Sequence, residues 1–161
     1  IRHAELSCRP GESFGGTHRG CFDRVLVDAP CSGEGMLHSG DVAGWAQWSV
    51  NRIRRLARQQ ERLLTAGLRC LRPGGVLVYA TCTYAPEENE SVLDRVLAKI
   101  DVPVTLEALP EGLPEGLPGL TSWQGRDFDP SVHLARRLLP DGCCTGFFMA
   151  RFRRSPERDS T

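Results

Sequence analysis

The stretch that decides the fold is Phe22–Gly35, FDRVLVDAPCSGEG. Val25, Leu26 and Val27 form a short apolar run with acidic residues at Asp23 and Asp28, the pattern of a buried strand. Ala29–Gly35 cannot continue it. Pro30 has no backbone N–H to donate, and Gly33 and Gly35 accept dihedral angles that other residues avoid. The segment therefore reads as a strand followed at its carboxyl end by a loop that carries a thiol, Cys31.

Working outward, about Trp48 to Leu71 reads as a helix. Ile53, Leu56, Gln60, Leu63, Leu64, Gly67 and Leu71 share one face at a spacing near 3.6 residues. Arg55, Arg58, Arg62 and Arg69 lie opposite; a solvated charged face is the plain reading, and RNA contact the sharper one. Arg72-Pro73-Gly74-Gly75 stops that helix. Gly75–Ala80 (GVLVYA) is a second apolar strand, closed by Thr81-Cys82-Thr83. Pro86-Glu87-Glu88 suits the first turn of a helix, and Asn89–Ile100 continues it with Val92, Leu93, Val96, Leu97 and Ile100 on the inner face. Val102–Leu109 reads as a third strand, Pro110–Gly119 as a surface loop, Val132–Leu139 as a short helix or turn, and Gly146–Arg153 as a last strand. Ile1–Leu6 is compatible with a short strand.

This order of strands and helices predicts an α/β layer with a mainly parallel sheet. In such sheets ligands sit beyond the carboxyl ends of the strands. Two strands here end in Asp28-Ala29-Pro30-Cys31 and in Thr81-Cys82-Thr83, which puts two thiols on that rim. Backbone donors near helix starts are expected to favour the thiolate at both.

Composition sets the limits. The 161 residues are 40% hydrophobic and 25% charged, an ordinary globular mixture. Twenty basic and twenty acidic residues cancel, so bulk charge says nothing about nucleic acid. Seven cysteines, an odd number with no CxxC pair, argue against a disulfide framework and make zinc a weak idea. Cys8, Cys21, Cys70, Cys143 and Cys144 read as small buried hydrophobes. No run reaches the roughly 18 apolar residues of a membrane helix, and no export leader opens the chain, so a cytoplasmic location without membrane attachment is expected. The start at Ile1, without methionine, suggests a piece of a longer protein. Residues 1–154 are expected to form one portion of a domain, and 155–161 a disordered tail.

FDRVLVDAPCSGEG, LRPGGVLVYATCTYAPEENE at Leu71–Glu90 and GFFMARF at Gly146–Phe152 resemble the RsmB/RsmF-type (Nop/Sun) RNA cytosine-5 methyltransferases, the bacterial RsmF-like branch most. The resemblance covers nearly the whole chain except the first 20 residues and the Pro/Gly loop. It implies a Rossmann-like fold dependent on S-adenosylmethionine (AdoMet), of which this chain holds the part from about the third strand onward. It implies Cys82 as the nucleophile that adds to cytosine carbon 6 and Cys31 as the thiol that assists product release. Asp28 would contact the base edge or the cofactor, and Pro30 would shape the loop beside the cofactor.

The implied partner is RNA, ribosomal RNA first and transfer RNA second, with the base out of its stack. Trp45, Trp48, Tyr84 and Trp123 are candidates to stack on it. The family's glycine-rich AdoMet loop and the acidic ribose ligand lie outside this sequence, and Pro10 stands where an aspartate is usual. A half-sheet exposes a strand edge and an apolar face, so this chain alone is expected to bind AdoMet poorly and to be inactive. Two other classes stay open: a non-catalytic RNA-binding or assembly module of the same fold, and a DNA cytosine methyltransferase with its nucleophile in the Pro-Cys motif at Cys31.

Overall fold

A computed structural model describes residues 4–37, 40, 42–141 and 145–156, with backbone alone at 43, 44 and 47. A 3-10 turn, Gly11–Ser13, runs into the single-turn helix α1, Phe14–Thr17. Strand β1, Phe22–Asp28, follows, then a 3-10 turn at Glu34–Met36 and helix α2, Val42–Gln47. The long helix α3 spans Val50–Cys70. Ser49 caps it, its hydroxyl accepting the Arg52 N–H at 3.2 Å. Its buried face holds Ile53, Leu56, Ala57, Gln60, Leu64, Gly67 and Leu68, close to the stripe expected from spacing.

Strand β2, Leu71–Thr81, begins directly where α3 stops. Arg72–Gly75 does end the helix, but it lies inside the strand rather than before it. The register between Phe22 and Arg24 shifts opposite this segment, and Gly74 takes φ +77°, so an irregularity absorbs the Pro-Gly-Gly. Helix α4 is Glu90–Leu97, shorter than expected, because residues 86–89 form turns instead. Strand β3 is Val104–Glu107. The Pro/Gly loop ends in β4, Leu117–Pro118; a hairpin of β5, Ser122–Trp123, and β6, Arg126–Asp127, comes next. A 3-10 turn at Pro130–Leu134, β7 at Arg136–Leu138 and β8 at Phe147–Arg154 complete the chain. Residues 4–6 form no strand; 1–3 and the tail at 157–161 lie outside the described residues, as do Cys143 and Cys144.

The main sheet has the order β1-β2-β8-β7-β4, with β3 also paired to β8. β1 and β2 are parallel, joined through α3, while β2–β8, β3–β8, β7–β8 and β4–β7 are antiparallel. The fold is thus the expected α/β one with a mixed sheet, its parallel part at β1–β2. Val102–Leu109 does not extend that parallel part, because β8 occupies the place beside β2 and β3 joins the far side of β8.

The core lies around β2 and β8. Leu77, Tyr79, Phe148, Ala150 and Phe152 are fully buried, packed with Leu64 and Leu68 of α3 and Val92 and Leu93 of α4. β1 departs from the buried strand expected of its sequence. One face packs on α3, where a Cβ on Gly67 would stand 2.7 Å from a Leu77 methyl and 2.9 Å from a Val27 methyl, so a larger residue there would force those side chains to shift. Its other face is open, and Leu26 is 69% exposed. Cys8 and Cys21 are exposed rather than buried, because the segments carrying them lie outside the core; Cys70 is buried.

Candidate active site

The rim where β1 and β2 end carries both candidate thiols. Asp28 pairs in register with Ala80, so the residues that follow each strand emerge side by side. Ala29 N–H donates to Ala80 C=O at 3.0 Å, and the loops then separate. The result is a Cys31 Sγ to Cys82 Sγ distance of 3.0 Å, although the two are 51 positions apart in the sequence. Both thiols are free and partly buried. The Cys82 N–H points at Cys31 Sγ, 3.3 Å away.

Two glycines make that approach available. Gly33 has φ +77°, which turns the chain back after Cys31. Gly35 N–H donates to Cys82 C=O at 2.9 Å, and a Cβ there would stand 2.5 Å from the Gly146 carbonyl oxygen. Any side chain at position 35 would push the Cys31 loop off the Cys82 strand.

Burial pushes the Cys31 thiol up to about 12, helped by its hydrogen bond to the Cys82 side chain and opposed by the backbone donors of Cys82 and Gly33. The expectation of a thiolate at Cys31 is therefore corrected: the backbone donors are present, but loss of solvent outweighs them. At neutral pH Cys31 carries its proton and can donate it toward Cys82 Sγ.

A dense set of polar groups holds the two loops. Ser32 Oγ and Thr83 Oγ1 are 2.7 Å apart, and Thr83 Oγ1 donates to Glu34 Oε2 at 3.2 Å. Glu34 Oε1 accepts the Trp48 indole N–H at 2.6 Å, so that ring is pinned at the edge of the site and half exposed. Thr81 Oγ1 donates to Asn89 Oδ1 at 2.6 Å, and Asn89 Nδ2 donates to Thr83 C=O at 2.9 Å, which fixes the strand end on both sides of Cys82. Arg137 of β7 pairs with fully buried Glu90, Nε to Oε1 at 2.6 Å, and donates to Tyr84 C=O at 3.0 Å.

The sequence reading missed most of these partners. It took Glu87 and Glu88 as acids suited to the first turn of a helix that Asn89 and Glu90 continue, yet Glu88, Asn89 and Glu90 are all buried. The one legible signal was Gln60, a polar residue in an otherwise apolar helical stripe. Its Nε2 donates to Pro30 C=O at 2.9 Å and to Glu88 Oε2 at 2.7 Å. Asp28 is exposed at the end of β1, and no hydrogen bond joins it to either thiol among the described residues. Trp123 donates its indole N–H to Glu87 Oε1 at 3.0 Å, and the Tyr84 hydroxyl is buried over Gly146.

Beside β1 lies an open cavity of about 370 Å³ lined by Phe14, Phe22, Val25, Val27, Asp28 and Leu63, among others. A mostly apolar wall ending in an exposed carboxylate fits one side of a ligand with an aromatic ring and hydroxyl or amino groups, and no more than one side.

Two thiols in contact at adjacent strand ends of a Rossmann-like half-sheet agree with the comparisons to known proteins. Residues 3–153 match the family model described as 16S rRNA methyltransferase RsmB/F. The chain belongs to that family. It is 36% identical over 152 residues to a tRNA (cytosine(49)-C(5))-methyltransferase of Pyrococcus abyssi, covering 94% of this chain and 47% of that protein. It is 34% identical over 154 residues to the ribosomal RNA small subunit methyltransferase F of Vibrio vulnificus, covering 96% of this chain and 30% of that one. Among solved structures, a methyltransferase homologue from Pyrococcus horikoshii superimposes with a TM-score of 0.71 at 36% identity, over 89% of this chain and 42% of the other. NSun6 from Pyrococcus horikoshii, solved with SFG, gives 0.60 at 31% identity, over 82% and 30%. The RsmB/F chain thus spans about half or less of the relatives it matches.

Proposed function

We propose that this chain is the thiol-bearing portion of an AdoMet-dependent RNA cytosine-5 methyltransferase, with Cys82 as nucleophile and Cys31 as the thiol of product release. The single observation that supports this most is the 3.0 Å separation of the two sulfurs at neighbouring strand ends. Carbon 5 of cytosine is a poor nucleophile. Addition of Cys82 Sγ to carbon 6 makes carbon 5 electron-rich, splitting one hard step into easier ones. AdoMet, when bound, supplies an electrophilic methyl group. Asp28 and Pro30 would form the part of its site that this chain contributes, the remainder lying outside these residues. Once carbon 5 is alkylated, its hydrogen must leave as a proton and the carbon 6–sulfur bond must break.

The surroundings of Cys31 suit that order of events. Its burial and the neighbouring Cys82 thiol keep it protonated while Cys82 is free. When Cys82 becomes a thioether, its share of the upward shift at Cys31 is relieved, while burial and the backbone donors of Cys82 and Gly33 remain. Cys31 then loses its proton to solvent more readily, and the thiolate so formed accepts the proton that leaves carbon 5.

The family model's description and the RsmF relatives support ribosomal RNA as the substrate, and a cytoplasmic location belongs with it. The Pyrococcus abyssi relative supports transfer RNA as the second reading. Bisulfite sequencing of total RNA from a strain lacking the gene tests both: one cytosine of ribosomal RNA is expected to lose its protection. Loss confined to transfer RNA would favour the second reading, and no change in any RNA would favour a non-catalytic module. Mapping the trapped cysteine separates this reading from the DNA-type arrangement, in which Cys31 would be the linked residue.

A further inference from the structure

Glu88 is fully buried, and among the described residues no cation stands within ion-pair distance of it. Burial raises its pKa, against the hydrogen bonds from Ser32 and Gln60 that lower it. A carboxylate held without a counter-charge carries a large desolvation cost. Capping α4 does not account for it, because its hydrogen bonds go elsewhere. Both oxygens face the Ser32 N–H, at 3.0 and 3.3 Å, and Oε2 also accepts Gln60 Nε2 at 2.7 Å. Gln60 spends its second donor on Pro30 C=O, and its own buried Oε1 has no hydrogen-bond partner among the described residues. The Glu88 carbonyl accepts the Tyr79 hydroxyl at 2.7 Å, which ties it to β2 two residues before Thr81.

The peptide units on both sides of Cys31 are therefore gripped, Pro30 C=O by Gln60 and Ser32 N–H by Glu88. All of the grip originates from α3 and from the segment that follows Cys82. Cys82 itself is held by Asn89 and Gly35, which do not depend on Glu88's carboxylate.

We propose that Glu88, braced by Gln60, is a positioning residue for Cys31, setting that thiol for the release step while leaving the nucleophile in place. This rests on the roles given above to Cys82 and Cys31. The consequence is a division of kinetic labour. Loosening the brace slows breakdown of the covalent protein–RNA intermediate and spares its formation.

The test uses the full-length gene product and a cytosine-bearing RNA substrate, with formation and decay of the denaturant-stable adduct followed after a single mixing. In Glu88→Gln one of the two acceptor oxygens is replaced by a donor and the carboxylate charge is lost, so the Ser32 N–H and the Gln60 amide must share a single neutral oxygen, and Gln60→Leu deletes the brace while keeping an apolar fill. Each is expected to prolong the adduct about tenfold or more while first-turnover methyl transfer stays within about threefold, the size of effect a small misplacement produces. Cys31→Ala should show the same pattern more strongly.

Circular dichroism identifies which variant is folded; if Glu88→Gln is not, Gln60→Leu decides. Parental adduct decay in a folded variant, or equal slowing of formation and decay, overturns the proposal. If Cys31→Ala accumulates no adduct while Cys82→Ala is inactive, the release role falls and this inference with it. If Cys82→Ala retains activity, the proposed function fails, whatever Glu88 does.

Discussion

β1 and β2 lie side by side in parallel register, yet they live in different environments. β2 is flanked by β1 and β8 and capped by α3 and α4, so Leu77 and Tyr79 are wholly buried. Among the described residues β1 has a strand neighbour on one side only, and Leu26 faces solvent. The contrast teaches how the site is divided. The thiol half is complete within this chain: Cys31, Cys82 and the polar groups that hold them all come from it. The half beside β1, with Asp28 and the open cavity, keeps one face uncovered among the described residues.

The largest effect expected is on the complete side. Cys82→Ala in the full-length protein should lower methyl transfer by about 10³-fold or more, as loss of a nucleophile does; near-parental turnover in a radiolabelled-methyl assay would break the comparison. Next comes the acidity of Cys31. Its pKa is raised from 9.0 to about 12, so its thiolate appears only as pH climbs toward that value. At pH 8 its alkylation by iodoacetamide should lag behind exposed Cys8 and Cys21 by about 10³-fold, read by peptide mass spectrometry. By the same sign, folding stability linked to Cys31 is intact below pH 9 and is lost as pH rises from there toward 12.

Stability should divide the same way. Arg137→Ala leaves Glu90 buried and unpaired and should cost about 3–5 kcal/mol in urea unfolding. Phe148→Ala, in the β8 core, should cost a similar ~3–5 kcal/mol. The smallest effect belongs to the open edge. Leu26→Ser should change the stability of the 161-residue chain by no more than about 0.5 kcal/mol. In the full-length protein it should cost distinctly more if further strands cover β1. Equal costs in both would show that the edge is free there too.

The sequence made some of this plain and hid the rest for physical reasons. Local signals carried the strand ends: an apolar run followed by Pro-Cys-Ser-Gly, and another closed by Thr-Cys-Thr, place two thiols on one rim. The α3 stripe was readable from its period. What the sequence could not convey was non-local. Nothing in Val104–Glu107 says that it pairs antiparallel with β8, because that depends on which strand reaches β2. Val25-Leu26-Val27 looks like a buried strand because its apolar run suits two covered faces, and only one is covered among the described residues. The acidity of Cys31 depends on solvent exclusion by a loop 51 residues away. The burial of Glu88 depends on a gap between α3 and the Cys31 loop that no pattern announces.

The most direct measurement is to trap the full-length protein on RNA carrying 5-fluorocytosine, whose carbon 5 has no proton to lose, and to sequence the cross-linked peptide by mass spectrometry. The account predicts one nucleotide joined through carbon 6 to Cys82 Sγ, with Cys31 unmodified. A linkage at Cys31, or methylation of ordinary RNA with no adduct ever found on either thiol, would contradict it.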